Sequence, residues 1–166
     1  MSEDQYDELL KFSTSSKFTE REKVALTYAS AIIWNSEIAD DALWALLQKG
    51  GQVVLVRHAV TDPGVGDPPG FKIGDCTTQR NLSDAGKREA ERLGAAIKAR
   101  NVPVARVFTS PWCRCRDTAR EAFGKAQDWE ALSSFFDAPH RDPELTERVK
   151  NRIGNYSTRR PRGNVV

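Results

Sequence analysis

The sequence predicts an α/β fold, a mostly parallel sheet flanked by helices and preceded by an α-helical segment. Three observations lead there. Two short apolar runs, 52–56 (QVVLV) and 104–108 (VARVF), read as strands. Stretches of helical periodicity alternate with them. The first run is nearly continuous in apolar residues, as expected of a strand covered on both faces.

The elements follow in order. Thr19 and Glu22 form a capping box, so each can satisfy a backbone donor at a helix start. Ala25, Tyr28, Ala29, Ile32 and Ile33 then make one apolar face. A second helix is expected from about Asp40, with Leu43, Trp44 and Leu47 on one side and Gly50-Gly51 to stop it. The first strand ends in Arg57 and His58, and a loop rich in Pro and Gly runs over 62–75. Ser83 caps a long helix whose buried face includes Ala90, Leu93, Gly94 and Ile97. The second strand leads directly to Ser110-Pro111. A helix from about Arg114 runs through Thr118 and Ala122 to Gly124. A further strand is expected at 132–136. Leu145, Val149 and Ile153, four apart, predict a last helix. Gly163-Asn164-Val165-Val166 resembles the start of a strand, so the domain is expected to be incomplete at its C-terminus.

The bulk composition limits the function classes. A chain of 166 residues with 39% hydrophobic and 29% charged residues suits one soluble domain with a core, not a disordered chain. A formal net charge of +2 gives no case for nucleic acid. The cations near the end (Arg148, Lys150, Arg152, Arg159, Arg160, Arg162) read as a solvated surface. No apolar run approaches the roughly 18 residues of a membrane span. The acidic, polar start MSEDQYDELL is not a secretory signal, so the cytoplasm is the expected location. None of the three cysteines, Cys76, Cys113 and Cys115, has zinc-ligand spacing with the two histidines, and neither a metal nor a cofactor is expected. An odd cysteine count without a signal argues against a disulfide framework. It leaves open a pairing of Cys76 with Cys113 or Cys115 in an oxidising compartment.

Chemistry is expected where strands end, because ligands of open α/β sheets bind beyond the carboxyl ends of the strands. One strand delivers Arg57 and His58, and the other Ser110, Pro111 and Arg114. Neighbouring strands would bring two guanidinium groups and an imidazole into one cleft. The planar fork of Arg binds two phosphate oxygens at once, and a neutral imidazole between such cations can attack phosphorus. A lone His after a strand is more often structural. It is the combination of two such strand ends that favours the chemical reading.

Leu55-Val56-Arg57-His58-Ala59-Val60-Thr61 resembles the Arg-His-Gly signature of the histidine phosphatase superfamily, the phosphoglycerate-mutase-like proteins, with Ala59 where Gly is commoner. Ser110-Pro111-Trp112-Cys113-Arg114-Cys115-Arg116-Asp117-Thr118-Ala119 resembles its second signature. Asn81-Leu82-Ser83-Asp84-Ala85-Gly86 is similar to the helix start between them. The resemblance covers residues 42–166. It implies that His58 is the phospho-accepting nucleophile and that Arg57 and Arg114 bind phosphate. Arg80 is a further candidate for the phosphate. The family's second catalytic His follows a late strand. Here that strand would begin at Val165, and His140, in Ala138-Pro139-His140-Arg141, does not match it. The family's acid is often a Glu after the middle strand; Asp137 is the nearest carboxylate and the candidate proton donor.

Residues 18–47 (FTEREKVALTYASAIIWNSEIADDALWALL) resemble a helical stretch of the carboxymuconolactone decarboxylase / alkylhydroperoxidase-like family, without the reactive Cys and His that precede it there. The chain is therefore divided into a helical N-terminal segment, 1–41, and a histidine-phosphatase-like domain, 42–166, with a natural or artificial fusion where the two resemblances overlap. The expected function is hydrolysis of a phosphorylated small molecule through a phosphohistidine, impaired by the missing strand. The alternatives are a non-catalytic phosphate-binding remnant and a helical interaction module.

Overall fold

The computed structural model describes residues 41–64, 66–134, 138–159 and 162–166. The capping box at Thr19 and Glu22, the helix after it and Asp137 lie outside the described residues.

Helix α1, Asp41–Lys49, buries Leu43, Trp44 and Leu47 on one face and stops at Gly50. Its buried face packs on Val54 and Val102, with Val56, Ala96, Ile97 and Val166 around them. Asn164 ties the helix to the sheet. Its side-chain Nδ2 donates to the Leu47 carbonyl (2.7 Å), and its Oδ1 accepts from Gln52 N–H (3.1 Å). A buried amide with both ends satisfied fixes geometry, since either end left unpaired would be costly.

Helix α2, Asp84–Ala99, begins as the sequence predicts: the Ser83 hydroxyl accepts from Gly86 N–H at 3.1 Å. Gly86 is required there. A Cβ at that position would stand 1.9 Å from the Val60 carbonyl oxygen. Strands β1, Val104–Arg106, and β2, Phe108–Thr109, divide the single expected strand between two partners. Helix α3, Cys113–Phe123, ends at Gly124, whose φ of 77° only glycine adopts readily. It crosses α2 so closely that a Cβ on Gly94 would lie 2.1 Å from the Ala122 carbonyl oxygen. Strand β3, Gln127–Asp128, follows, then helix α4, Asp142–Arg159, and strand β4, Asn164–Val165.

The strands are parallel. β4 pairs with β1 on one side and bridges to Val53 on the other, and β2 pairs with β3. The Val166 carbonyl accepts from Phe108 N–H, joining the two pairs into one layer. Parallel pairing with helical crossovers is the predicted architecture.

Two strand expectations need correction. Only the start of 52–56 is paired, through Val53 and Val54 N–H, because β4 meets it only at Val165. Leu55 is 57% exposed, so no layer covers its face of the sheet. The strand expected at 132–136 is absent from its described part: 130–132 form a 3₁₀ turn, and the chain pairs earlier, at β3, as soon as Gly124 releases it. Of the cations of α4, Arg148 and Lys150 are exposed as expected, but Arg152 is not. Arg152 stacks over Trp129 (4.3 Å) and Phe108 (4.7 Å), fastening the helix to β2. Among the described residues, no helix is long and apolar enough to cross a membrane.

Candidate active site

His58 stands just beyond the paired part of the first strand, and α2 and α3 hold its backbone. Ser83 N–H donates to the Val60 carbonyl (3.1 Å), and Val60 N–H donates to Glu89 Oε2 (2.9 Å). The Thr118 hydroxyl links the two signatures. It accepts from Ala59 N–H (3.0 Å) and donates to the Arg114 carbonyl (2.7 Å). The Thr of the second signature thus positions the His of the first.

The His58 ring is oriented by its own neighbour: Nδ1 lies 2.8 Å from the Ala59 carbonyl oxygen. A carbonyl only accepts, so Nδ1 carries the hydrogen and Nε2 keeps its lone pair. Burial pushes the His58 pKa down. Arg114, Arg57 and Arg80 push the same way, and the Ala59 hydrogen bond opposes them. Three guanidinium groups therefore act on one imidazole and disfavour its charged form.

A cleft of about 290 Å³ opens here, with Arg57, His58, Ser110, Cys115 and Thr118 among its lining residues. The two strand ends do meet in one cleft. Arg57 is exposed and lines it, whereas Arg114 is buried and is not among its lining residues. Burial pushes the Cys115 thiol up, which keeps it protonated and unlike a nucleophilic thiolate. His140 is exposed on the 3₁₀ turn Pro139–Arg141 and does not line the cleft. Among the described residues no group of three or more His, Cys, Asp and Glu is gathered to hold a metal.

Two residues of the site, Asp67 and Gln79, were not singled out from sequence. Asp67 reaches Arg114, with both carboxylate oxygens 3.0 Å from Nη1. Gln79 is buried, accepts from Cys113 N–H (3.0 Å) and donates to the Lys72 carbonyl (2.9 Å). Cys76 is bonded to Cys113, with Cα atoms 5.6 Å apart. Of the two pairings left open, Cys76 with Cys113 is the one that forms, against the argument from the odd cysteine count: residues 66–80 fold back onto the start of α3 and bring together cysteines 37 residues apart. Asp67 carried no distinguishing signal: it is one of three aspartates, with Asp62 and Asp75, in a Gly/Pro-rich loop between two signatures.

The disulfide carries a stability prediction. Closing a loop of 37 residues stabilises by about 4 kcal/mol in the chain-entropy account. Cys76→Ser, at the exposed cysteine, is expected to lower unfolding free energy by about that amount in urea titration. Reduced wild type should match it. A change below about 1 kcal/mol would show that the loop is held without the bond.

The α/β domain thus holds an imidazole and a guanidinium group, His58 and Arg57, in one cleft at the end of its first strand. Residues 53–152, more than half of the chain, match the histidine phosphatase superfamily (branch 1). The chain belongs to that superfamily, and its membership points to phosphatase- or mutase-type activity. No curated protein and no solved structure matches the chain.

Proposed function

We propose that the chain is a phosphomonoester hydrolase that works through a phosphohistidine at His58. The observation that supports this reading best is the state of the His58 ring. Nδ1–H is committed to the Ala59 carbonyl, while burial and three arginines favour the neutral form. That leaves Nε2 as a nucleophile beside cationic groups suited to phosphate oxygens.

In the proposed reaction the Nε2 lone pair attacks phosphorus and the ester P–O bond breaks. The alcohol leaves with a proton, for which Asp137 is the candidate donor. Water then attacks the phosphohistidine, releasing inorganic phosphate and restoring the imidazole. Arg57 and Arg114 stabilise the equatorial oxygens throughout. The substrate is a phosphorylated small molecule.

The pH dependence follows from the direction of the His58 shift. The unfolded imidazole titrates near 6.5 and the folded one below it. Between those values the folded ring stays neutral and nucleophilic. The acid limb of kcat/KM for a generic phosphomonoester is therefore expected below pH 6.5. Stability should fall as pH drops through the same window, because the unfolded chain takes the proton first. An acid limb above 6.5 would contradict the assignment of His58.

Arg57 supplies a second test. Arg57→Ala is expected to weaken inorganic phosphate binding by about tenfold, and Arg57→Lys by less, because a point charge keeps attraction but loses the fork. Equal affinity of all three forms in calorimetry would remove Arg57 from the phosphate clamp.

A further inference from the structure

Arg114 is held from two directions. Asp67 meets it end-on, with both oxygens 3.0 Å from the single nitrogen Nη1. The Trp112 ring lies under the guanidinium at 4.5 Å from its centroid. The pair is buried, with side-chain exposures of 10% for Arg114 and 7% for Asp67. An end-on carboxylate occupies one nitrogen and leaves the opposite edge, Nε with Nη2, unclaimed. Nε is indeed buried with no hydrogen-bond partner among the described residues. A buried donor without an acceptor is costly and calls for a ligand.

Arg80 repeats the pattern. Its backbone N–H donates to Asp67 Oδ1 at 2.9 Å, and its Nη1 is tied to the Gly64 carbonyl. Its Nε is also buried and unpartnered among the described residues. Both arginines contribute to the field at His58. One carboxylate thus connects two guanidinium-bearing residues, each tethered at Nη1 with its Nε free.

Resting on the phosphate-site reading above, we infer that Asp67 is a positioning residue, which turns Arg114 so that its Nε–Nη2 edge faces the phosphoryl group and keeps Arg80 beside it. Asp67 does not touch the substrate. Its negative charge alone would repel phosphate, so its contribution must come through geometry. A carboxylate that fixed nothing would be a net disadvantage in an anion site.

The opposing signs make the test decisive. Asp67→Asn keeps a side-chain oxygen for Arg114 Nη1 and Arg80 N–H but removes the charge. Asp67→Glu keeps the charge but displaces the carboxylate by one methylene. Calorimetry with inorganic phosphate is run on wild type and both variants, with thermal melts alongside. The Arg114 Nε–H resonance is followed by NMR. Positioning predicts that Asp67→Asn binds within about threefold of wild type and keeps the resonance, while Asp67→Glu binds at least tenfold more weakly. Asp67→Asn binding tenfold more tightly, or Asp67→Glu matching wild type, would overturn the inference. If Asp67→Glu does not fold, Asp67→Asn decides alone: near-wild-type affinity with the resonance kept supports positioning, and tighter binding or a lost resonance overturns it. Absence of phosphate binding in wild type would instead overturn the phosphate-site reading, and the inference with it.

Discussion

Arg114→Met is expected to cost about 3–5 kcal/mol of folding stability and to abolish measurable phosphate binding. The stability loss comes from the partner left behind. Asp67 is buried, and removing Arg114 leaves its charge, among the described residues, with the Arg80 N–H for compensation. Breaking one side of a buried ion pair typically costs that much. Replacing both sides is different. The double variant Arg114→Met/Asp67→Leu removes the uncompensated charge, and apolar groups of similar volume pack where the pair was. It should regain most of the lost stability, short of about 1 kcal/mol for the hydrogen bond that Arg80 N–H gives up. Phosphate binding should not return, because the guanidinium is gone. Urea titration and calorimetry on the two variants separate these effects. Equal instability of single and double variants would show that the pair matters for packing and not for charge.

His58→Ala is expected to reduce phosphomonoester turnover by at least about 10⁴-fold, the scale of losing a covalent nucleophile. Stability should change little. The ring is half-buried, and its hydrogen bond is to the adjacent carbonyl of Ala59, which no longer-range contact depends on. The Thr118 bridge that positions this loop runs through backbone and hydroxyl atoms, so it survives the substitution. A folded but inactive variant is therefore predicted. Wild-type turnover in a folded His58→Ala protein would move the nucleophile elsewhere.

Parts of the fold were legible because local rules set them. Ser83 and Gly86 mark a helix start by capping and close approach, and Gly124 marks a helix end by its positive φ. Gly163-Asn164-Val165-Val166 has strand composition, and β4 forms there. That the end of the first strand, with Arg57 and His58, shares a cleft with Ser110 of the second signature was legible, since parallel strands end on one side. What was not legible depends on long-range contact. Leu55 is apolar, yet its exposure depends on which elements pack over its face of the sheet. The apolar content at 132–136 suggested a strand, but the edge of β2 was already taken by Gln127 and Asp128. Asp67 lies 47 residues from Arg114, and Cys76 lies 37 from Cys113. No periodicity connects residues so far apart across a Gly/Pro loop. The loop's fold-back supplies both contacts at once.

The central claim is a covalent phosphoryl group on His58. The direct measurement is to mix the protein with a ³²P-labelled phosphomonoester, quench in alkali, and locate the label by peptide mass spectrometry. A phosphohistidine is stable to base and labile to acid, unlike a phosphoserine. Label is expected on the His58 peptide, sensitive to acid and absent from His58→Ala. Label on another residue, or hydrolysis with no trapped intermediate in a protein whose His58→Ala form is equally active, would contradict it.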